Sequence, residues 1–223
     1  MVEGLLRPGE TMRVGDLYLQ LTGGDAYTPV QALYAELGYH APETDYQSGP
    51  MYSCHPAGTM DSGFRDTKTM RAFADSLPAL ADMGIETVWI LPIFEHTGRG
   101  VYEPTDQRLI DKRYGGDEDV RFYVDAAHGL GMNVLFDYVP HGPFPEDALA
   151  AEHPAWCSVA RNGEKQIEWD CVSFDMANPD YQAYTKDLIK EHVARFSVDG
   201  GRIDCAMGGL SNWQPETGNR ASS

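Results

Sequence analysis

The most chemically informative pair in the sequence is Arg202 and Asp204, at the end of the run Val198-Asp199-Gly200-Gly201-Arg202-Ile203-Asp204. Residues two apart on a β-strand point to the same face, so we expect these two side chains to lie side by side. An arginine next to a carboxylate favours the ionised form of the carboxylate, which is the form that acts as a nucleophile. The spacing therefore predicts a reactive carboxylate at Asp204, with Arg202 as its partner.

Polar side chains also follow three earlier apolar segments. They are Cys54 and His55, then Glu95 and His96, then Asp137 and His141. In parallel α/β folds, functional residues collect in the loops at the carboxyl ends of the strands, which meet at one rim. We therefore expect these residues to share a rim with Asp204.

Alternating strands and helices must carry this rim. Apolar runs predict strands near residues 50–55, 86–91, 133–136 and 198–204, and helical spacing predicts helices near 66–83, 117–130 and 178–196. Apolar strands that alternate with helices form parallel sheets with right-handed crossovers. We predict an α/β fold with four parallel strands and three intervening helices, which is half of a (β/α)8 barrel or a small doubly wound sheet.

The chain divides into three predicted parts. Residues 1–22 have strand-like alternation and are interpreted as the tail of a preceding β-domain, because two short strands do not make a stable sheet alone. Residues 23–49 are predicted to form a linker with a short helix over 28–38. Residues 50–223 carry the strand and helix repeat, with a polar insertion at about 142–178 after the third strand.

The composition restricts the partners and the compartment. Thirty-four acidic residues against 17 lysines and arginines give a formal net charge of −17, which disfavours nucleic acid and anionic membranes and is compatible with a neutral sugar. The sequence shows no membrane-length apolar run and no signal-peptide pattern, so we predict a cytoplasmic protein. The four cysteines are predicted to be reduced thiols, with a Cys157–Cys171 bridge as the main exception.

Three segments together resemble the α-amylase family, glycoside hydrolase family 13. Arg202-Ile203-Asp204 after Val198-Asp199-Gly200 resembles its strand-four motif, Gly-Phe-Arg-hydrophobic-Asp. Gly100-Val101-Tyr102-Glu103-Pro104-Thr105-Asp106, followed by Ile110-Asp111 and Arg113-Tyr114-Gly115, resembles the segment that reads Gly-Tyr, then Asp, then Ile-Asp-Pro-x-Tyr-Gly. Val134-Leu135-Phe136-Asp137-Tyr138-Val139-Pro140-His141 resembles the strand-three motif.

The resemblance implies the N-terminal half of a TIM barrel, (β/α)8, with a small inserted domain after strand three and the remnant of a β-sandwich before it. It also implies a retaining hydrolase of α-glucosidic bonds in α-glucan or oligosaccharide substrates. Carried over residue by residue, Asp204 is the nucleophile, Arg202 its partner, Tyr102 a sugar-stacking ring, and Asp137 and His141 substrate contacts. No cofactor and no metal are predicted.

The sequence departs from the family pattern at several positions. His141 stands where the family usually has Asn, and Met207 and Gly208 stand where it often has Lys-His. The general acid of the family is a glutamate after strand five. The tail from Gly208 to Ser223 contains Glu216 as its only carboxylate, with no apolar strand before it. We therefore expect this chain to be inactive, and we expect an open half-barrel to associate with itself.

Two other functions compete with this interpretation. A metal-dependent barrel hydrolase would use His55, His96, His141 and Asp204 as ligands, although no HxH or HxxxH pair occurs and Arg202 would repel a cation. A non-catalytic carbohydrate-binding module would use Trp156, Trp169 and Tyr102 as stacking surfaces. Core packing in the inserted domain is the alternative role for the two tryptophans.

Overall fold

The computed structural model describes residues 7–13, 16–19, 21, 23–39, 49–58, 66–145, 148–205 and 210–214 of the chain. The chain divides into two compact units, residues 6–47 and a larger unit that contains residues 48–223. Met207, Gly208 and Glu216, which lie in the segment that departs from the α-amylase pattern, are outside the described residues.

The smaller unit contains the helix α1 (Tyr27–Glu36), close to the helix predicted over 28–38. The Asp25 carboxylate accepts hydrogen bonds from the backbone N–H groups of Tyr27 and Thr28, at 2.8 and 2.9 Å. These two bonds satisfy donors that the first turn of a helix leaves without partners, so the helix begins here.

The strand-like alternation of residues 1–22 does not correspond to a strand among the residues described there. Residues 16–19 and 21 are irregular, and their leucines are exposed. Alternation alone does not make a strand, because its backbone groups need a neighbouring strand for their hydrogen bonds. The origin of residues 1–22 in a preceding β-domain stays a prediction.

The larger unit alternates strands and helices along the chain. In order, they are β1 (Met51–Cys54), α2 (Met70–Phe73), α3 (Leu77–Asp82), β2 (Thr87–Ile90), β3 (Phe94–His96), β4 (Pro104–Ile110), α4 (Asp117–Gly129), β5 (Asn133–Tyr138), α5 (Ala148–Glu152), β6 (Ile167–Glu168), β7 (Cys171–Val172), α6 (Pro179–Phe196) and β8 (Gly200–Ile203). Short 3-10 turns cover Ala74–Ser76, Lys112–Tyr114 and Pro154–Trp156.

The four predicted strands form one parallel sheet in the order β1-β2-β5-β8. Its central strands bury Val88, Ile90, Val134 and Phe136 completely or nearly so against α4 and α6. The predicted α/β fold with four parallel strands is therefore confirmed, and it is consistent with part of a (β/α)8 barrel. No helix in the described part of the chain is both long and apolar enough to cross a membrane.

The helix predicted over 66–83 is interrupted. It begins at Met70, where the Thr69 hydroxyl caps the first turn, and a 3-10 turn at Ala74–Ser76 separates α2 from α3. Pro78 lies in the first turn of α3, has no N–H to donate and would crowd the carbonyl of Ala74 in a continuous helix. The proline therefore explains the break.

An antiparallel hairpin of β3 and β4 was not predicted, because residues 104–110 have no clear apolar alternation. The side-chain amide of Gln107 in β4 both donates to the carbonyl of Val139 and accepts from its N–H, each at 2.9 Å. These two bonds attach the hairpin to the carboxyl end of β5. The loop between β3 and β4 carries Tyr102, so the hairpin brings that tyrosine to the rim.

The insertion after β5 has a small core of its own. It contains α5 and the β6–β7 hairpin, and its core consists of Ala150, Trp156, Cys157, Val172 and Phe174 together with Tyr181 of α6. All four cysteines are free thiols, so the Cys157–Cys171 bridge considered as an exception is absent. The aromatic residues of this core, not a disulfide, hold the insertion against α6.

Candidate active site

Asp137, the fifth residue of β5, is the most densely hydrogen-bonded carboxylate of the rim. It is 1% exposed and accepts hydrogen bonds from the Tyr102 hydroxyl at 2.7 Å and the Trp89 indole N–H at 2.9 Å. Arg202 Nη1 adds contacts of 3.1 and 3.2 Å to its two oxygens. Burial raises the pKa of Asp137, and the hydrogen bonds from Tyr102 and Arg202 oppose that rise. Asp137 therefore joins three strand ends and the β3–β4 loop.

Arg202 lies between two carboxylates. The register of the parallel pair places it directly beside Asp137, and its Nη1 is also 2.5 Å from Asp204 Oδ1. The guanidinium carbon lies 4.9 Å from the centre of the Trp89 ring, a favourable cation–π position. The predicted pairing of Arg202 with Asp204 is therefore present, but the arginine is shared with Asp137.

Asp204 follows β8 and lies partly exposed at the rim. Its backbone N–H donates to the Tyr138 carbonyl at 2.8 Å, which extends the pairing of β8 with β5 by one residue. The Cys205 thiol donates to Asp204 Oδ2 at 3.4 Å. Burial, followed by this contact, raises the pKa of Cys205 to about 11, so the thiol is protonated at neutral pH and serves as a donor.

A cleft of about 280 Å³ opens beside Asp204. Its lining residues are Gly100, Tyr102, Glu103, His141, Trp169, Asp204 and Cys205. Three of the five predicted site residues, Tyr102, His141 and Asp204, thus line one cleft. The other two lie behind them: Asp137 accepts a hydrogen bond from Tyr102, and Arg202 contacts Asp204. The structure brings all five together.

His141 forms part of the cleft wall and is 3% exposed. Burial lowers its pKa, so the imidazole is neutral at pH 7, and the centre of its ring lies 5.2 Å from that of Trp169 in an edge-to-face arrangement. Its Nδ1 is buried and has no hydrogen-bond partner among the described residues. The predicted role of His141 as a substrate contact stays a prediction.

His55 and His96 use their ring nitrogens within the protein. His55 contacts the carbonyl of Pro92 at 3.2 Å, and His96 contacts the Tyr114 hydroxyl at 2.8 Å. Each Nδ1 accepts a backbone N–H, at 3.2 and 3.0 Å. Within the described ranges, no group of three or more His, Cys, Asp or Glu residues could hold a metal ion. These contacts do not support the metal-dependent alternative.

Sequence reasoning did not identify Trp89, Glu103 or Cys205 as site residues. Trp89 belongs to an apolar strand, and only the packing of adjacent strands shows that its indole N–H donates to Asp137.

Glu103 lines the cleft, and its Oε2 accepts from the Thr97 hydroxyl at 2.6 Å and from Arg99 Nε at 3.1 Å. Cys205 follows Asp204 and Glu103 follows Tyr102 in the chain, and this adjacency could have identified both as site residues.

The chain is similar in sequence and fold to α-amylases and related enzymes. A family model described as the alpha amylase catalytic domain matches residues 54–143. The chain is 31% identical over 150 residues to the 1,4-alpha-glucan branching enzyme GlgB of Vibrio parahaemolyticus, which covers 66% of this chain and 19% of that protein. It is 26% identical over 175 residues to the intracellular maltogenic amylase of Bacillus subtilis, covering 68% of this chain and 29% of that protein.

Among solved structures, the noncanonic maltogenic alpha-amylase AmyB from Thermotoga neapolitana superposes with a TM-score of 0.60 at 29% identity. That match covers 72% of this chain and 39% of the other. The chain thus spans between about a fifth and two fifths of the length of these relatives.

Proposed function

The chain belongs to the α-amylase family of glycoside hydrolases, and we propose that it forms the nucleophile side of an active site for α-glucosidic bonds, with an α-glucan or its oligosaccharides as substrate. The observation that carries this proposal is the Arg202–Asp204 contact of 2.5 Å on the wall of the cleft. The contact places a positive charge beside a carboxylate that borders a space a sugar ring can enter, an arrangement that suits a nucleophile.

In the proposed retaining mechanism, an Asp204 oxygen attacks the anomeric carbon of the sugar. The bond between that carbon and the leaving oxygen breaks, and a covalent glycosyl-enzyme ester forms. Water then attacks the same carbon, which releases the sugar and restores the carboxylate. Tyr102 is the proposed stacking surface for the sugar, and its hydroxyl is fixed by Asp137 at 2.7 Å.

Such a mechanism needs a second carboxyl group, protonated and about 5–5.5 Å from the nucleophile. Two carboxylates near Asp204 are engaged elsewhere: Asp137 is buried with several donors, and Glu103 is bound to Thr97 and Arg99. Loss of general acid catalysis typically lowers rates by about 10²–10⁴-fold. We therefore propose that these 223 residues alone bind oligosaccharides without measurable turnover.

A substrate that needs no general acid tests the role of Asp204. Because fluoride leaves without a proton, 5-fluoro-α-glucosyl fluoride should transfer its sugar to Asp204 with release of fluoride, even if maltooligosaccharides are not hydrolysed. We expect intact-mass spectrometry and peptide mapping to find one sugar ester at Asp204 in the wild type and in Glu103→Gln, and none in Asp204→Asn.

Two results would contradict the proposal. One is an absence of labelling in the wild type, or labelling that persists in Asp204→Asn. The other is maltooligosaccharide turnover that Asp204→Asn abolishes, which would show that the chain supplies its own acid.

A further inference from the structure

Trp169 occupies an unusual backbone position. Ile167 pairs with Val172 and Glu168 with Cys171 across the β6–β7 hairpin, which leaves Trp169 and Asp170 as a two-residue turn. Both turn residues have positive φ angles, 49° and 61°. Asn-Gly is the strongly favoured sequence in a turn with two left-handed residues, because a bulky side chain is strained in that conformation. A tryptophan at this position is therefore not explained by the turn itself.

The packing of the protein does not explain this tryptophan either. Trp156 is 6% exposed and lies in the core of the insertion against Phe174 and Tyr181, which is the core-packing role considered for both tryptophans. Trp169 is 55% exposed. A large apolar side chain that is both strained and exposed is typical of a functional surface.

The surroundings of Trp169 indicate what it could bind. It lines the same cleft as Asp204 and Tyr102, and its packing partner in the cleft wall is the neutral ring of His141. The net charge of −17 disfavours an anionic ligand. The apolar C–H face of a pyranose ring matches the flat indole and carries no charge.

We propose that Trp169 is a substrate-binding residue that stacks against a pyranose ring of the α-glucan, a different ring from the one beside Tyr102. This inference rests on the proposed function, because it takes the ligand of the cleft to be the α-glucan. The strained turn presents the indole to the cleft, and the β6–β7 hairpin sets its position. Trp169 then determines how well chains longer than one sugar are held.

A double substitution separates binding from stability. Trp169→Asn with Asp170→Gly installs the sequence that this turn prefers, so thermal unfolding should occur at the same or a higher temperature than in the wild type. The same variant should bind maltoheptaose about tenfold more weakly by calorimetry, since a lost stacking contact is worth on the order of a tenfold change in Kd. Trp169→Tyr should retain part of the affinity.

Ile167→Ala is the matched control. Ile167 is exposed on the same hairpin and does not line the cleft, so its truncation should leave maltoheptaose binding unchanged. Wild-type affinity in the Asn-Gly double variant would overturn the proposal for Trp169 while leaving labelling of Asp204 intact. Failure of the wild type both to bind maltoheptaose and to be labelled at Asp204 would overturn the proposed function and this inference together.

Discussion

At the scale of single residues, one arginine organises the site. Arg202 contacts both Asp137 and Asp204, so a single positive charge faces two carboxylates. Asp137 is buried and also accepts from Tyr102 and Trp89, whereas Asp204 keeps access to the cleft. A buried charge is tolerated only when it is paired and hydrogen-bonded, which is the condition that Asp137 meets. The contacts of Asp137 hold Arg202 and Tyr102 in place.

Three buried histidines make the stability of the fold depend on pH. Burial lowers the pKa of His55, His96 and His192 to about 4, from 6.5 in an exposed chain. Below pH 6.5 the unfolded chain takes up protons that the folded protein does not. Stability is therefore full above pH 6.5 and is lost as the pH falls from 6.5 towards 4, by up to ~1.4 kcal/mol per pH unit for each histidine.

Urea unfolding at a series of pH values checks this prediction. His192 is fully buried among Phe94, Tyr138 and Phe196, and its Nε2 has no hydrogen-bond partner among the described residues. His192→Phe removes one of the three groups, so the number of protons taken up on unfolding below pH 6.5 should fall by about one. The free energy of unfolding should therefore vary less steeply with pH in this variant. A free energy of unfolding that is constant between pH 7 and pH 4.5 would contradict the prediction.

At the scale of elements, the register of β5 and β8 builds the site. It pairs Asp137 with Arg202 and brings the backbone of Gly201 against Tyr138. A Cβ at Gly201 would lie 2.7 Å from a carbon of the Tyr138 ring. That ring is buried and stacks on Phe94 and His192, so it has little room to move. The close approach of the two strands therefore requires glycine at position 201.

Gly201→Ala tests this close approach. We expect it to lower the free energy of unfolding by about 1–3 kcal/mol, because an extra methyl group in a packed core forces its neighbours to shift. Gly129→Ala is the control: apart from its chain neighbours and the backbone of its own helix, no atom lies within 4 Å of the added Cβ, and alanine is favoured in a helix, so stability should be equal or higher. Equal stability of the two variants in urea unfolding would contradict the argument.

At the scale of the whole molecule, the sheet has two open edges. Among the described strands, β1 pairs with β2 alone and β8 pairs with β5 alone. Met51, Tyr52 and Ile203 on these edges are exposed. A cleft of about 270 Å³ between α6 and β8 is lined largely by apolar side chains, including Ile189 and Ile203. Parallel sheets are normally covered on both faces, and open apolar edges promote association.

We propose that the 223-residue chain associates with itself through these edges. Sedimentation velocity should show larger species as the protein concentration rises. A charge on an edge strand opposes pairing, so Ile203→Lys should shift the distribution towards the monomer. Met83→Lys, at an exposed position outside the sheet, should leave it unchanged. A single monomeric species of the wild type over the whole concentration range would contradict the proposal.

Much of the fold could be predicted because the relevant signals are local. The apolar runs of the four sheet strands and the periodicity of α4 and α6 reflect burial of each element, and the structure has those elements. The break at Pro78 was missed although its signal was present, because the apolar spacing continues across it. The hairpin of β3 and β4 was missed because residues 104–110 have no clear apolar alternation that would mark a strand.

The sequence by itself indicated the fold class and, through strand spacing and strand ends, placed Arg202, Asp204, Asp137 and His141 at one rim. The resemblance to the α-amylase family added Tyr102. Only the tertiary structure decided how those residues divide their contacts. Asp137 is saturated by donors from Trp89, Tyr102 and Arg202, which are up to 113 positions apart (202 − 89), and Trp169 faces the cleft while Trp156 fills a core. The physical reason is that burial and hydrogen-bond partners depend on elements distant in the chain, which no local pattern records.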